Sequence, residues 1–510
     1  MVSTDFNPFK TAFSDVTVSK IIVSWWRVFW RIQKIQGWKA ALRVFPIVWM
    51  IIYAVRGFSR HHLQEFDRMK TSVDDKEADA LTSAEYEELR NLGRRLCKDL
   101  NALGPTFIKI GQTLSTRADL VPLPAMLELA VLQENVETFP TALAKEIIER
   151  ELGGKPEELY ANFDSTPIAA ASLSQAYRAI LKDGRDVVVK VQRPGLPAII
   201  ASDVQVLAAV ADEVMNYPNL CRHTDWPGVV EEFARTTFEE IDYIREGRNA
   251  DRFRHNFRNF DHICIPRIVW KLTGRRVLTI EYIAGVRIND VEAIEKAGMT
   301  PDEVTRIGAD FYLRQLLEDG FFHADPHPGN MRLMPDGRIG IFDFGMVGRL
   351  TPELKQHLVN ALVHVIQRDY RSLIDDFVGM GFLNEDVDRE GLFADLSPIV
   401  DTRFAEGMSK VRFRKMLFDF SEVCYRYPFR LPTDFTYVMR ALLTLEGVAL
   451  SINPDFNFID AAMPFAQRLV LKNNAIIGNA IMKEVFTDGR FNPGAAFGLI
   501  KAAAKLTSLV

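Results

Sequence analysis

Residues 322–345, FHADPHPGNMRLMPDGRIGIFDFG, constrain this chain more than any other stretch. Asp325 and Asn330 lie five positions apart in a loop made tight by Pro326, Pro328 and Gly329. Two short extended runs follow, MRLM and RIGIF, joined by the turn residues Pro335, Asp336 and Gly337. Asp343-Phe344-Gly345 comes directly after them. Phosphoryl transfer calls for this set: an Asp beside the attacking group, an Asn on one metal ion, and a second Asp on the metal that bridges the phosphates.

The spacing agrees with the protein-kinase pattern H-R-D-L-x-x-x-N…D-F-G, although His323-Ala324-Asp325 lacks the arginine. A second kinase-like feature lies upstream. Gln175 to Leu181 and Asp186 to Gln192 are β-rich runs separated by Lys182-Asp183-Gly184-Arg185, which predicts a hairpin. Lys190 falls in its second strand, where a kinase carries the lysine that contacts the α/β-phosphates and is held by a helix glutamate. Such tetrads are common in strands, and Lys190 gains weight from standing ahead of the Asp325 and Asp343 motifs. Before the hairpin lies Ala169-Ala170-Ala171-Ser172, where a kinase has glycines. The charged helix EEFARTTFEEIDYIREGRNADRFRHNF offers Glu239, Glu240 and Glu246 as partners for the lysine, and periodicity does not choose among them.

With 510 residues, the chain has room for two or three domains. Its four cysteines, Cys97, Cys221, Cys264 and Cys424, have no C-x-x-C spacing, which fits buried thiols in a reduced compartment. The net charge of -5 is unevenly spread: residues 1–60 hold nine Lys/Arg against Asp5 and Asp15, and five of the seven tryptophans. That mixture suits the headgroup region of an anionic membrane. Its longest charge-free run, Val44 to Val55, contains Pro46 and is shorter than the ~20 residues of a spanning helix. The segment is therefore expected to lie on a membrane, the alternative being a helical arm packed on its own protein through its tryptophans. The opening residues show neither a signal nor a transit peptide.

Further along, Leu89, Leu92, Leu96, Leu100 and Leu103 predict a helix interrupted at Gly104-Pro105. Lys109, Gln112 and Ser115/Thr116 then share one helical face, which reads on its own as solvated. Residues 141–163 read as a helix ending near Gly153-Gly154, RRVLTIEYIAGVRI as a strand leading into a hinge, and 302–320 as a helix. Thr351-Pro352-Glu353 lies too close to Asp343-Phe344-Gly345 to enclose a peptide-docking segment, and 353–450 read as helical. The last 48 residues are basic and partly apolar, in runs too short to span a membrane.

Taken together, residues 85–460 resemble the UbiB family of atypical kinase-like proteins, also called the ADCK family. Lys109-Ile110-Gly111-Gln112 is similar to its K-x-G-Q motif, Ala169 to Ser172 to its alanine-rich nucleotide loop, and Glu240-Ile241-Asp242 to its E-x-D motif. Lys190, Glu246, Asp325, Asn330 and Asp343 match its lysine, helix glutamate, catalytic-loop and metal positions. The resemblance implies an α+β fold, kinase-like and bilobal, with a small β-containing N-lobe, a helical C-lobe and a helical K-x-G-Q extension. The expected division is an arm over 1–62, a linker over 63–82, the extension over 83–165, the lobes over 166–284 and 285–460, and a helical tail over 461–510.

The resemblance also implies that Lys109 and Gln112 belong to the site and face the E-x-D helix and the nucleotide, with Lys109 paired to Glu240 or Asp242. ATP (or ADP) and Mg are the implied cofactors, with Asn330 and Asp343 on the metal and Asp325 and Lys190 catalytic. The expected function is a Mg-ATP-dependent ATPase supporting isoprenoid-quinone or prenyl-lipid metabolism. Phosphorylation of proteins in trans is not expected. Rival readings are a small-molecule or lipid phosphotransferase and a non-catalytic nucleotide-gated scaffold. Expected partners are prenyl-lipid or quinone precursors, enzymes of quinone biosynthesis, a second copy in a homodimer, and the cytoplasmic face of a bacterial membrane, held peripherally. No nucleic-acid partner is expected.

Overall fold

Gly37, with φ of 85°, divides the tryptophan-rich segment into two helices, α1 (Val18–Gln36) and α2 (Trp38–Met69). Pro46 sits inside α2 without ending it. In this computed structural model the described residues are 18–69, 83–115, 121–130, 132, 138–217, 225–405, 427, 429, 433–457, 461–462, 465, 486–487 and 490–491. They fall into two units, Met1–Arg252 with Pro266–Tyr282, and Phe253–Ile265 with Ile283–Val510. The chain thus leaves the first unit after Tyr282 and lends 253–265 to the second.

In the first unit, α3 (Ser83–Leu103) and α4 (Pro105–Leu114) meet at Gly104-Pro105 as their sequence predicts. The proline suits the first turn of α4, where its missing N–H has no helical partner to lose. α5 (Leu123–Ala130) packs across both. After α6 (Thr141–Leu152), the strands β1 (Asn162–Phe163), β2 (Ala169–Ala170), β3 (Ser174–Ile180) and β4 (Asp186–Gln192) build an antiparallel sheet. The predicted hairpin is β3–β4, in register from Ser174 opposite Gln192 to Ile180 opposite Asp186. Beyond the helices α7 (Leu196–Val214), α8 (Trp226–Glu240) and α9 (Tyr243–Asn256), and past β5 (Ile263–Cys264) of the second unit, β6 (Val277–Glu281) joins the other side of β4. β4 is therefore central, and Val187, Val189 and Val191 bury one side of it against α6.

The arm packs on its own protein, chiefly through aliphatic side chains, with Trp25 partly buried against them. Val28, Ile32, Ala41, Val44 and Ile47 share a core with α3, α4 and α7, whereas Trp26, Trp30, Trp38 and Trp49 stay exposed. α2 also occupies the first seven residues of the segment read as a linker; 70–82 lie outside the described residues, as do Thr116, Arg117 and Asp119.

In the second unit, α10 (Pro301–Leu313) widens into a π-helical turn, Arg314–Asp319. β8 (Phe321–His323) follows, then β9 (Met331–Leu333) and β10 (Ile339–Ile341), with β7 (Val286–Arg287) on the outer side of β9. β10 also pairs in parallel with β5. β11 (Val347–Arg349) returns to β8, and Thr351 caps α11 (Pro352–Gln367) by accepting from Leu354 N at 3.2 Å. The helices α12 (Tyr370–Gly379), α13 (Arg389–Ala405) and α14 (Thr433–Ile452) complete a helical core. The expected helical tail holds a small antiparallel pair, β12 (Phe486–Thr487) and β13 (Arg490–Phe491). Among the described residues, no helix is long and apolar enough to cross a membrane.

One buried acid fastens the arm. Asp203 on α7 is 1% exposed; its carboxylate lies 2.9 Å from Arg43 of α2, whose guanidinium also donates to the Leu103 carbonyl at 2.8 Å. Burial pushes the Asp203 carboxyl up, and the Arg43 guanidinium beside it opposes the shift. Arg43→Ala should lower unfolding free energy by about 2–3 kcal/mol in denaturant titrations, less than a fully buried pair because Arg43 is partly exposed. Asp203→Asn in the same chain should recover part of the loss.

Candidate active site

β4 and its neighbours carry the first set of candidate site residues. Lys190 stands opposite Ala176 of β3 and Leu278 of β6. Its ammonium lies 3.0 and 3.1 Å from the two oxygens of Glu246, whose side chain is 3% exposed, and 5.2 Å from the centre of the Tyr243 ring. Glu246 sits in the first turn of α9. The three glutamates that sequence left unordered therefore separate cleanly. Glu246 takes Lys190, Glu240 takes Lys109, and Glu239 pairs with Arg245 at 2.5 Å.

Lys109 and Gln112 are not on a solvated face. The Lys109 side chain is 11% exposed and Gln112 is buried. Gly111 between them explains how α4 comes in so close: a Cβ there would lie 2.4 Å from Leu132 and 2.7 Å from Leu100. Asp242 does different work from Glu240. Its carboxylate accepts from Ile244 N at 3.1 Å and Arg245 N at 3.3 Å, capping the start of α9 and so fixing where Glu246 falls. Buried Gln192, at the end of β4, donates to the Ile241 carbonyl within the same E-x-D turn.

The alanine loop forms an edge strand and a turn. Ala169 pairs with Ala176 and Ala170 with Gln175, then Ala171 N donates to Ser174 O at 2.8 Å. Arg193 donates twice to the Ala171 carbonyl, at 3.0 and 3.1 Å, and Ser172 is buried. Among the described residues, Arg368 is the one non-glycine with positive φ, so the alanines keep ordinary backbone where glycines would be free to turn.

The second unit gathers the second set. The β9–β10 hairpin aligns Met331 with Ile341, and Phe342 N donates to the Asn330 carbonyl at 3.3 Å. Asn330 and Asp343 therefore flank the same end of one hairpin. Asp343 accepts from Gly345 N at 3.0 Å, and Phe344 is buried against Phe253, ring centres 5.0 Å apart. His323 is buried; its backbone N–H donates to Gln315 Oε1, and its Nδ1 accepts from Asp325 N at 3.0 Å. That bond leaves the ring proton on Nε2. Burial pushes the imidazole below the ordinary histidine range, with Asp343 and Asp325 opposing.

Sequence reasoning missed one participant. Arg440 of α14 is 5% exposed and its guanidinium lies 3.3 Å from Asp325 Oδ2. The motif around the catalytic-loop Asp lacks an arginine at position 324, and a cation arrives instead from more than a hundred residues downstream. An arginine inside the apolar run of α14 was the available signal, since an arginine on an apolar face needs a carboxylate.

Residues 131–377 match the ABC1 atypical kinase-like domain and 396–457 the UbiB helical domain. The Synechocystis protein sll1770 is 42% identical over 393 residues, covering 76% of this chain and 67% of that protein. The chain belongs to the UbiB/ADCK family of atypical kinase-like proteins. The chloroplast protein Activity of BC1 Complex Kinase 3 of Arabidopsis thaliana is 36% identical over 86% of this chain, which spans 61% of that protein's length. Among solved structures, the Rv3197–erythromycin complex of Mycobacterium tuberculosis has a TM-score of 0.48 and 25% identity over 69% of this chain and 90% of that one. The fold is kinase-like α+β, as its sequence implies.

Lys190→Met should destabilise the first unit, since Glu246 then loses its cation in a buried setting. We expect a loss of about 3 kcal/mol in chemical denaturation, largely recovered by Glu246→Gln in the same chain.

Proposed function

We propose that this protein is a Mg-ATP-dependent ATPase of the kinase-like type that supports isoprenoid-quinone or prenyl-lipid metabolism at a membrane. The observation that carries the nucleotide part is the Lys190–Glu246 pair, made from β4 and α9 as a phosphate-positioning lysine requires. The donor set of the second unit fits magnesium. Asn330 and Asp343 offer hard oxygens, both part exposed, and Mg²⁺ favours one or two protein oxygens completed by phosphates and water over an all-protein cage. Bound there, the ion would neutralise charge on the transferring phosphoryl group.

The chain's own residues divide the remaining work. Lys190, steadied by Glu246, holds phosphate oxygens. Asp325 orients the nucleophile, and Arg440 fixes the carboxylate that does so. Lys109, closed by Glu240, and buried Gln112 belong to the same set. Two features favour water over a protein hydroxyl as acceptor. β11 follows Gly345 within two residues and runs into α11, so no long segment stands between Asp343-Phe344-Gly345 and the next helix to seat a peptide. The alanine loop cannot wrap phosphates as a glycine loop does. The quinone or prenyl-lipid role comes from the family resemblance, and transfer to a lipid or small-molecule hydroxyl is the reading that competes with hydrolysis.

Steady-state ATP hydrolysis by wild type and Asp343→Asn tests the reading. We expect turnover to fall at least ~100-fold in the variant, in line with the loss of a group that stabilises transition-state charge. Equal turnover in the two proteins would overturn it. Arg440→Met should lower kcat by about 10–100-fold with the KM for ATP little changed, as expected when a positioned group drifts. Arg440→Lys should recover part of that rate, which a purely structural role for Arg440 would not predict.

A further inference from the structure

We propose that the outer face of the α1–α2 hairpin docks on the interface of an anionic lipid bilayer. The inference names the surface for the membrane part of the function above, and rests on that reading only there. Each of the two helices has two apolar sides. The inner side is spent on the protein's own core with α3, α4 and α7. The outer side carries Trp26 and Trp30 on α1, and Trp38, Leu42, Phe45 and Trp49 on α2, at spacings of three and four residues. The four tryptophans are 48–63% exposed. The two stripes are one surface, because Trp26 lies 6.2 Å from Phe45 and Trp30 lies 5.8 Å from Trp38, ring centre to ring centre.

A contiguous aromatic surface of this kind marks an interaction site, and charge selects the occupant. Residues 23–54 contain no Asp or Glu, but five Lys/Arg. Arg27, Arg31 and Arg43 are turned to Glu213, Asp212 and Asp203 of α7. Lys34 and Lys39 instead stand exposed on either side of the bend at Gly37. A second copy of the chain would set two basic, acid-free surfaces against each other, whereas anionic headgroups complement them. Tryptophan suits the remaining requirement, since its ring enters the acyl boundary while its N–H stays with water and headgroups. The helices lie on the bilayer rather than through it.

The test is co-sedimentation of the full chain with vesicles of phosphatidylcholine alone, and of phosphatidylcholine with one third phosphatidylglycerol, at low and high salt. Three variants accompany wild type: Trp26→Ser/Trp30→Ser/Trp49→Ser, Lys34→Glu/Lys39→Glu, and Asp343→Asn. Wild type should bind the anionic vesicles, and less tightly as salt rises. The tryptophan variant should lose at least ~30-fold in affinity and the lysine variant at least ~10-fold, both with wild-type circular dichroism. The lysine variant, changed only at exposed positions, keeps the test sound if the tryptophan variant folds poorly. No binding by wild type, or undiminished binding by the lysine variant, overturns the proposal. So does a dimer in sedimentation velocity that the tryptophan variant dissolves. Asp343→Asn should bind vesicles like wild type. Turnover that ignores Asp343 would count against the ATPase reading and leave the docking result standing.

Discussion

A charged carboxylate that is almost wholly buried needs a cation beside it, and Glu246 is one such carboxylate here. Its partner Lys190 comes from the central strand of the first unit, so the pair fixes the helix α9 against the sheet. Much of the surrounding structure is set up to make this one contact hold. Asp242 caps α9 and sets the turn on which Glu246 falls. Gln192 ties the end of β4 to the Ile241 carbonyl, just before that cap. The pair joins residues 56 positions apart.

The second cation–carboxylate pair, Lys109 with Glu240, uses the same region for a different end. It joins α4 to α8, while Gly111 leaves room for Leu100 of α3 and Leu132 to pack against α4. Asp203 and Arg43 join the arm to the same helical group. In the second unit the corresponding role falls to Arg440 and Asp325. Glu246, Glu240 and Asp325 are thus each met by a basic residue distant in sequence.

That division explains what could be read in the sequence. The β3–β4 hairpin was legible because Asp183-Gly184 separates two β-rich runs, and the β9–β10 hairpin because of Pro335-Asp336-Gly337. The break at Gly104-Pro105 was equally plain. Periodicity could not say which glutamate Lys190 takes, because Glu239, Glu240 and Glu246 all sit on charged helices and only tertiary contact tells them apart. The family resemblance supplied Glu246, and in the structure its carboxylate meets the Lys190 ammonium. Lys109 looked solvated by periodicity for the same reason. Arg440 escaped notice altogether, since its partner lies 115 positions away and no local pattern links them. The arm misled in a subtler way. The sequence set a membrane surface against self-packing through tryptophans, whereas the arm packs mainly through aliphatic side chains and leaves Trp26, Trp30, Trp38 and Trp49 exposed on the other side of the same two helices.

Under the proposed function, hydrolysis and transfer would use the same residues and differ only in what Asp325 orients. Turnover of ATP in water enriched with oxygen-18 separates them most directly. Hydrolysis predicts inorganic phosphate as the product, carrying a single heavy oxygen per turnover, both with and without vesicles. Phosphate recovered on a lipid or small-molecule hydroxyl, with no heavy oxygen acquired, would contradict the account and make this protein a phosphotransferase.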